Sequence, residues 1–183
     1  ILLKMENLRG ILFMVLAMAG FAFEDLFIKI LSTHLPISEV IIILGFTGSI
    51  VFLIIALAQK APIIHKDVLN KHVIMRTIFE LLGAVFFVTA IALTPLSSAS
   101  AILQITPLLV TIGAVIFFKE KVGWRRWTAV FVGFIGVLLI LRPGFEGFMP
   151  ASIFALLGSL FLAARDLATR AMKTSLSSVT IAL

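Results

Sequence analysis

Residues 10–31 read GILFMVLAMAGFAFEDLFIKIL. The first fourteen carry no charge; Glu24, Asp25 and Lys29 then fall within six positions, and the apolar pattern resumes. A helix rises about 1.5 Å per residue, so this stretch is long enough to cross the ~30 Å hydrocarbon core of a bilayer. The charges test that reading. Ile11–Leu31 holds twelve Leu, Ile, Phe or Val residues, which favour insertion by about 5 kcal/mol in sum. Three charges facing lipid would cost roughly 7–10 kcal/mol. The balance closes only if the charged side turns inward, towards other helices or a wet cavity. Lys29 lies near the helix end and can snorkel. Asp25 and Lys29 stand four apart, so an intrahelical ion pair is expected. Glu24 points about 100° away and needs a partner or water of its own. Two readings stay open: a lock near the outer surface, or a part in substrate or ion handling.

The rest of the 183 residues agrees with a lipid solvent. The chain is 61% hydrophobic and 13% charged, against about half and a quarter in soluble domains. Six spans are expected: 11–31, 40–58, 77–94, 98–118, 127–141 and 150–164, with a seventh starting near Val179. The fold class is therefore an all-α polytopic transmembrane bundle. Of the fifteen Lys and Arg residues, all but Lys29 and Arg142 fall on one side of this layout. That predicts a cytoplasmic N-terminus. Trp124 and Trp127 in EKVGWRRW fit an interfacial aromatic belt. The net charge of +6 comes from these short loops, so nucleic acid is not an expected partner. The first apolar run lacks a small-residue cleavage motif and meets acids, so it reads as a span, not a signal peptide. The chain begins at Ile1 and stops as another apolar run starts, and it is expected to be a fragment of a longer protein.

A shift of 141 residues sets Phe13 on Phe154, Leu16 on Leu157, Ala22 on Ala163, Asp25 on Asp166, Leu26 on Leu167 and Lys29 on Arg170. The shared D-L-x-x-[KR] raises this above the similarity of any two apolar helices. The copies start five spans apart, so the second enters the membrane from the opposite side. Inverted repeats of this kind support alternating access in secondary transporters. The expected units are residues 8–144, a first five-helix repeat, and 149–183, the start of a second.

The fourth span carries Ser97, Ser100, Gln104, Pro107 and Thr111 at alternating spacings of three and four, one face of a helix. Ser, Thr and Gln serve as glue between membrane helices. Pro107 also frees a carbonyl in mid-helix, which suits a cavity lining. Arg76 and Glu80, again four apart, read either as a snorkelled pair or as a gate. Arg165, Asp166 and Arg170 read first as topology determinants. Gly45/Ser49 and Ala129/Gly133 are small pairs suited to helix crossings. The three histidines lack metal spacing, there is no cysteine, and no phosphate loop or hydrolase motif occurs. Neither an enzyme nor a cofactor or metal is expected.

The stretch AVFFVTAIALTPLSSASAILQITPLLVTIGAVIFFKEKVGWRRWTAVFVGFIGVLLILRPG, Ala84–Gly144, resembles the EamA-type transporters of the drug/metabolite transporter superfamily. The likeness rests on the ALTPLSSAS hairpin, the Pro after Gln-x-Thr, the Glu of FFKEKV and the GFIGVLLILRPG ending. It implies a ten-helix bacterial inner-membrane protein with cytoplasmic termini that moves amino acids, nucleotide-like metabolites or other small organic compounds. It also implies that Gln104 and Pro107 look towards a central cavity and that Glu120 is structural. The expected substrate contacts are Gln104, Ser100, Thr111, Asp25 and Glu24. Lys29, Arg76 and Glu80 are the expected ion pairs or gates. A coupling ion, such as a proton, is neither required nor excluded by these residues. The alternative is a non-transporting scaffold or accessory subunit, in which the charges are locks and the stripe is glue.

Overall fold

The computed structural model describes residues 2–60, 70–141 and 149–172. Among these the chain is all-α, in seven helices: α1 (Leu2–Leu31), α2 (Ile37–Ala58), α3 (Lys71–Leu93), α4 (Leu96–Leu103), α5 (Thr106–Phe118), α6 (Trp124–Leu141) and α7 (Ser152–Ala171). Five stretches are long and apolar enough to cross a membrane: Gly10–Leu31, Ile37–Ala58, Lys71–Leu93, Leu96–Phe118 and Ser152–Ala171. The fourth is α4 and α5 in series. The expected fifth span keeps only a shorter apolar core, Trp127–Gly136. The expected seventh span and Arg142 lie outside the described residues.

Several helices start before the expected spans, and two of the differing boundaries have a local reason. Helix α3 starts six residues before Thr77, because Asn70 caps it by accepting from the His72 amide at 3.1 Å. Helix α7 runs past Ala164 to Ala171, because Arg165 and Asp166 pair with each other and do not end the apolar pattern as bare charges.

Turns are set by proline. Thr94 is extended, as a residue before proline tends to be, and its hydroxyl donates to the Ala90 carbonyl at 2.7 Å. Pro95 and Pro36 then sit just ahead of α4 and α2.

The core gathers Ile28 of α1, Val40 of α2, Phe87, Val88, Ala90 and Ile91 of α3, Ala99 and Ile102 of α4, and Ala155 of α7. Helices α3 and α7 form its spine. Phe86 stacks on Phe161 and Phe154 at 5.4 and 6.2 Å, and Phe79 meets Phe161 at 6.3 Å. Glycine sets how near the helices come. A Cβ on Gly158 would lie 3.1 Å from the Phe87 backbone nitrogen, and one on Gly83 would strike Leu162. Among the described residues the pair Gly45/Ser49 has no crossing partner: nothing lies within 4 Å of a Cβ at Gly45. Gly133 does, against Leu108. Outside this spine, large apolar side chains such as Phe13, Phe46 and Phe117 are exposed, as the lipid-facing surface of a multi-pass membrane protein requires.

Candidate functional site

The expected Asp25–Lys29 pair does not form. The Lys29 ammonium instead donates to three carbonyls at the end of α3: Ile91 at 2.8 Å, Ala92 at 3.2 Å and Thr94 at 2.9 Å. The last carbonyls of a helix lack intrahelical donors and carry the negative end of its dipole. A cation there is better satisfied than beside one carboxylate on its own helix. Lys29 is thus a cap for α3 that ties α1 to the α3–α4 turn. Replacing Lys29 by methionine keeps the apolar stem and removes the cap. It is expected to lower stability by about 2–4 kcal/mol, read as a loss of thermal stability in detergent.

With Lys29 engaged elsewhere, Asp25 has no cationic partner among the described residues. Its half-buried carboxylate meets only the Ser100 hydroxyl, which donates at 3.4 Å, longer than a usual O–H···O bond. Glu24 is exposed and has no hydrogen-bond or ion-pair partner among the described residues. One carboxylate without a fixed counter-charge, that of Asp25, therefore borders α4.

The polar stripe continues from there. Ser100 and Gln104 lie one turn apart. At Gln104 the helix changes character: the Gln104 amide bonds back to Ala101 at 3.3 Å and the Ile105 amide to Ile102 at 3.0 Å, three-residue steps in place of four. Pro107 cannot donate to Leu103, four residues earlier. The carbonyl it frees is not left open, contrary to expectation: the Thr106 hydroxyl donates to Leu103 at 2.7 Å. The Thr111 hydroxyl likewise donates to Pro107 at 2.9 Å. What remains available is the Gln104 side-chain amide, exposed at the junction of α4 and α5 and without a partner among the described residues. Short three-residue steps inside a helix often mark hinges, and discontinuous helices form the binding sites of many transporters. Ser100, Gln104 and Thr111 thus recur along one side of the α4–α5 span, and Asp25 of α1 reaches that side at Ser100.

Arg76 and Glu80 do meet, at 3.3 Å, and Glu80 also takes Arg165 of α7 at 2.9 Å. Arg165 in turn holds Asp166 through Nε and Nη2 at 2.9 and 2.8 Å. Glu120, just past α5, receives Arg170 at 2.8 Å. Arg165 and Arg170 of α7 are therefore bonded to other parts of the bundle, with Asp166 holding Arg165, beyond any part in topology. This set joins α3 to α7 near the start of α3, whereas Lys29 joins α1 to α3 at its end. Arg165→Glu would face Glu80 and Asp166 with a third carboxylate. It is expected to cost about 1–2 kcal/mol, a modest figure because the groups are 28–40% exposed. Adding Glu80→Arg is expected to recover part of that loss in a double-mutant cycle.

Ser159 was not singled out by the sequence pattern. It is fully buried on α7, donating to Ala155 at 2.8 Å and approaching the Ile102 carbonyl at 3.4 Å, next to the α4–α5 junction. The small residues Ser152, Ala155, Ser159 and Ala163 on one face were the available signal.

The model of the EamA-like transporter family matches residues 8–142. The S-adenosylmethionine uptake transporter of Rickettsia bellii is 28% identical over 165 residues, 86% of this chain and 54% of that protein. The riboflavin transporter of Rhizobium johnstonii is 32% identical over 97 residues, 53% of this chain and 32% of its own length. The pseudopaline exporter of Pseudomonas aeruginosa is 25% identical over 162 residues, 88% of this chain and 56% of the exporter. The chain spans about half the length of most of these relatives. No solved structure matches it significantly. The family match covers well over half of the residues, in the stretch that holds the polar tract and its broken helix: the chain belongs to the EamA-like transporter family.

Proposed function

We propose that the protein is a secondary transporter that carries a small polar organic metabolite, an amino acid or related compound, by alternating access. The supporting observation is an Asp25 carboxylate that meets only the Ser100 hydroxyl and a Gln104 amide without a partner among the described residues, on a broken helix within apolar spans. Ionisable groups at membrane depth are costly and mark substrate or ion pathways. In this reading Gln104, Ser100 and Thr111 hydrogen-bond the substrate near the midplane. Asp25 and Glu24 hold its cationic group or a coupling proton. Arg76, Glu80 and Arg165 close the cytoplasmic side.

Residues 8–144 and 149–183 form the first repeat and the start of an inverted second one. Two contacts support this. Helix α1 joins the end of α3 through its own last turn, while α7 brings its C-terminal half to the start of α3. The two helices thus meet α3 with opposite polarity. The N-terminus is cytoplasmic and the membrane is the bacterial inner membrane, as the basic-residue asymmetry supports. Relatives include proteins named for uptake and for export, so direction is open in the family.

The test is reconstitution of the full-length protein in proteoliposomes with a metabolite panel that includes S-adenosylmethionine and riboflavin. Saturable movement of at least one solute is expected. No movement in either direction under any imposed ion gradient would favour the scaffold reading.

A further inference from the structure

Helix α7 runs beside both arms of the broken α4–α5 span. On the α4 side, the Ser159 hydroxyl approaches the Ile102 carbonyl at 3.4 Å while donating to Ala155 of its own helix at 2.8 Å. On the α5 side, a Cβ on Gly113 would strike Leu167, so the two helices touch there. Eight helical residues, about 12 Å, separate these two positions of α7. Arg170 then reaches Glu120 just past α5 at 2.8 Å. One helix thus holds the arm before the break and the arm after it, with Gln104 between them.

The carbonyl that Ser159 approaches belongs to the break itself. Ile102 accepts the Ile105 amide at 3.0 Å, a three-residue step. Pro107 has no amide hydrogen to give Leu103, so regular bonding cannot run through this point. Among the described residues, Ser159 is the only side chain of another helix that hydrogen-bonds a carbonyl of residues 101–107. Close packing alone does not call for its hydroxyl. Ala155 and Ala163, four residues to either side, are buried on the same face without one.

We infer that Ser159 is a positioning residue for transport: its hydroxyl ties the break, and with it the Gln104 side chain, to the position of α7. The inference rests on the transport reading above. A shift of α7 away from α4 leaves the hydroxyl wholly on Ala155 and releases the break; its return restores the tie. No carbonyl is stranded in that exchange. Ile102 keeps the Ile105 amide, and Ala155 keeps the Ser159 amide within α7.

The experiment compares Ser159→Ala with Ser152→Ala in the full-length protein. Ser152 is a second buried serine of α7, and its hydroxyl has no hydrogen-bond partner among the described residues. In proteoliposomes, with a solute that the parent moves, Ser159→Ala is expected to lower the maximal rate about fivefold, the worth of one ordinary hydrogen bond. KM and the thermal midpoint are expected to stay with those of Ser152→Ala. A second measurement needs no solute. The thiol of Gln104→Cys is expected to react about threefold more slowly or less once Ser159→Ala is added, because a released break no longer holds residue 104 in its exposed position. An unchanged thiol rate would overturn the inference. So would a maximal rate equal to that of Ser152→Ala, a loss carried by KM alone, or a loss that merely follows the thermal midpoint. If the parent moves no solute, the transport reading fails by itself, and the thiol rate still decides whether Ser159 holds the break.

Discussion

Gly158→Leu is expected to destabilise the protein by about 3 kcal/mol or more, the upper end for overpacking. Gly158 is buried where α7 crosses α3, and even a Cβ there would lie 3.1 Å from the Phe87 amide nitrogen and 3.3 Å from its Cα. Backbone cannot step aside as a side-chain tip can, so the helices must separate. That would strain the Phe86–Phe161 stack and pull Arg165 from Glu80. Gly45→Leu on α2 is the matched control. A Cβ there meets nothing within 4 Å, and the change is expected to stay within about 0.5 kcal/mol. Thermal unfolding of the two variants in one detergent decides the matter. Similar losses for both would mean that α3 and α7 do not cross as described.

The second large effect is on transport. Asp25→Asn and Gln104→Ala are each expected to lower the initial rate of solute movement about tenfold or more, the worth of one lost hydrogen bond to a charged group. Neither is expected to change stability much. Asp25 has only the 3.4 Å Ser100 contact to lose, and the Gln104 side chain has none among the described residues. Lys29→Met should show the opposite pattern, with stability lost first. This division separates groups that hold the bundle from groups that face the solute.

Much of the architecture is legible in the residues because hydrophobic length and proline placement are local signals. The first, second and fourth spans end where the sequence places them, at Leu31, Ala58 and Phe118. Partner choice for charges is not local. Spacing pairs Asp25 with Lys29, yet the ammonium finds three carbonyls some sixty positions away. A lone proline suggests an open carbonyl, but the neighbouring Thr106 closes it. Spacing does place Arg76 on Glu80, while the addition of Arg165 depends on how α7 crosses α3. Gly45 and Gly158 look alike in sequence, and only the packed neighbour tells them apart. The stripe of Ser100, Gln104 and Thr111 follows from helical period alone. The exposure of Gln104 on it is a property of the packed helices.

The chain contains no cysteine, so single thiols can report on that exposure directly. Gln104→Cys and Leu109→Cys are to be made in the full-length protein, with any other cysteine replaced, and exposed to a membrane-impermeant cationic thiol reagent in intact membranes. The thiol at position 104 is expected to react at least tenfold faster than the one at 109, and to be protected by a transported solute. Equal rates at the two positions, or an inert thiol at 104 from either side of the membrane, would contradict a water-filled path along the Gln104 stripe.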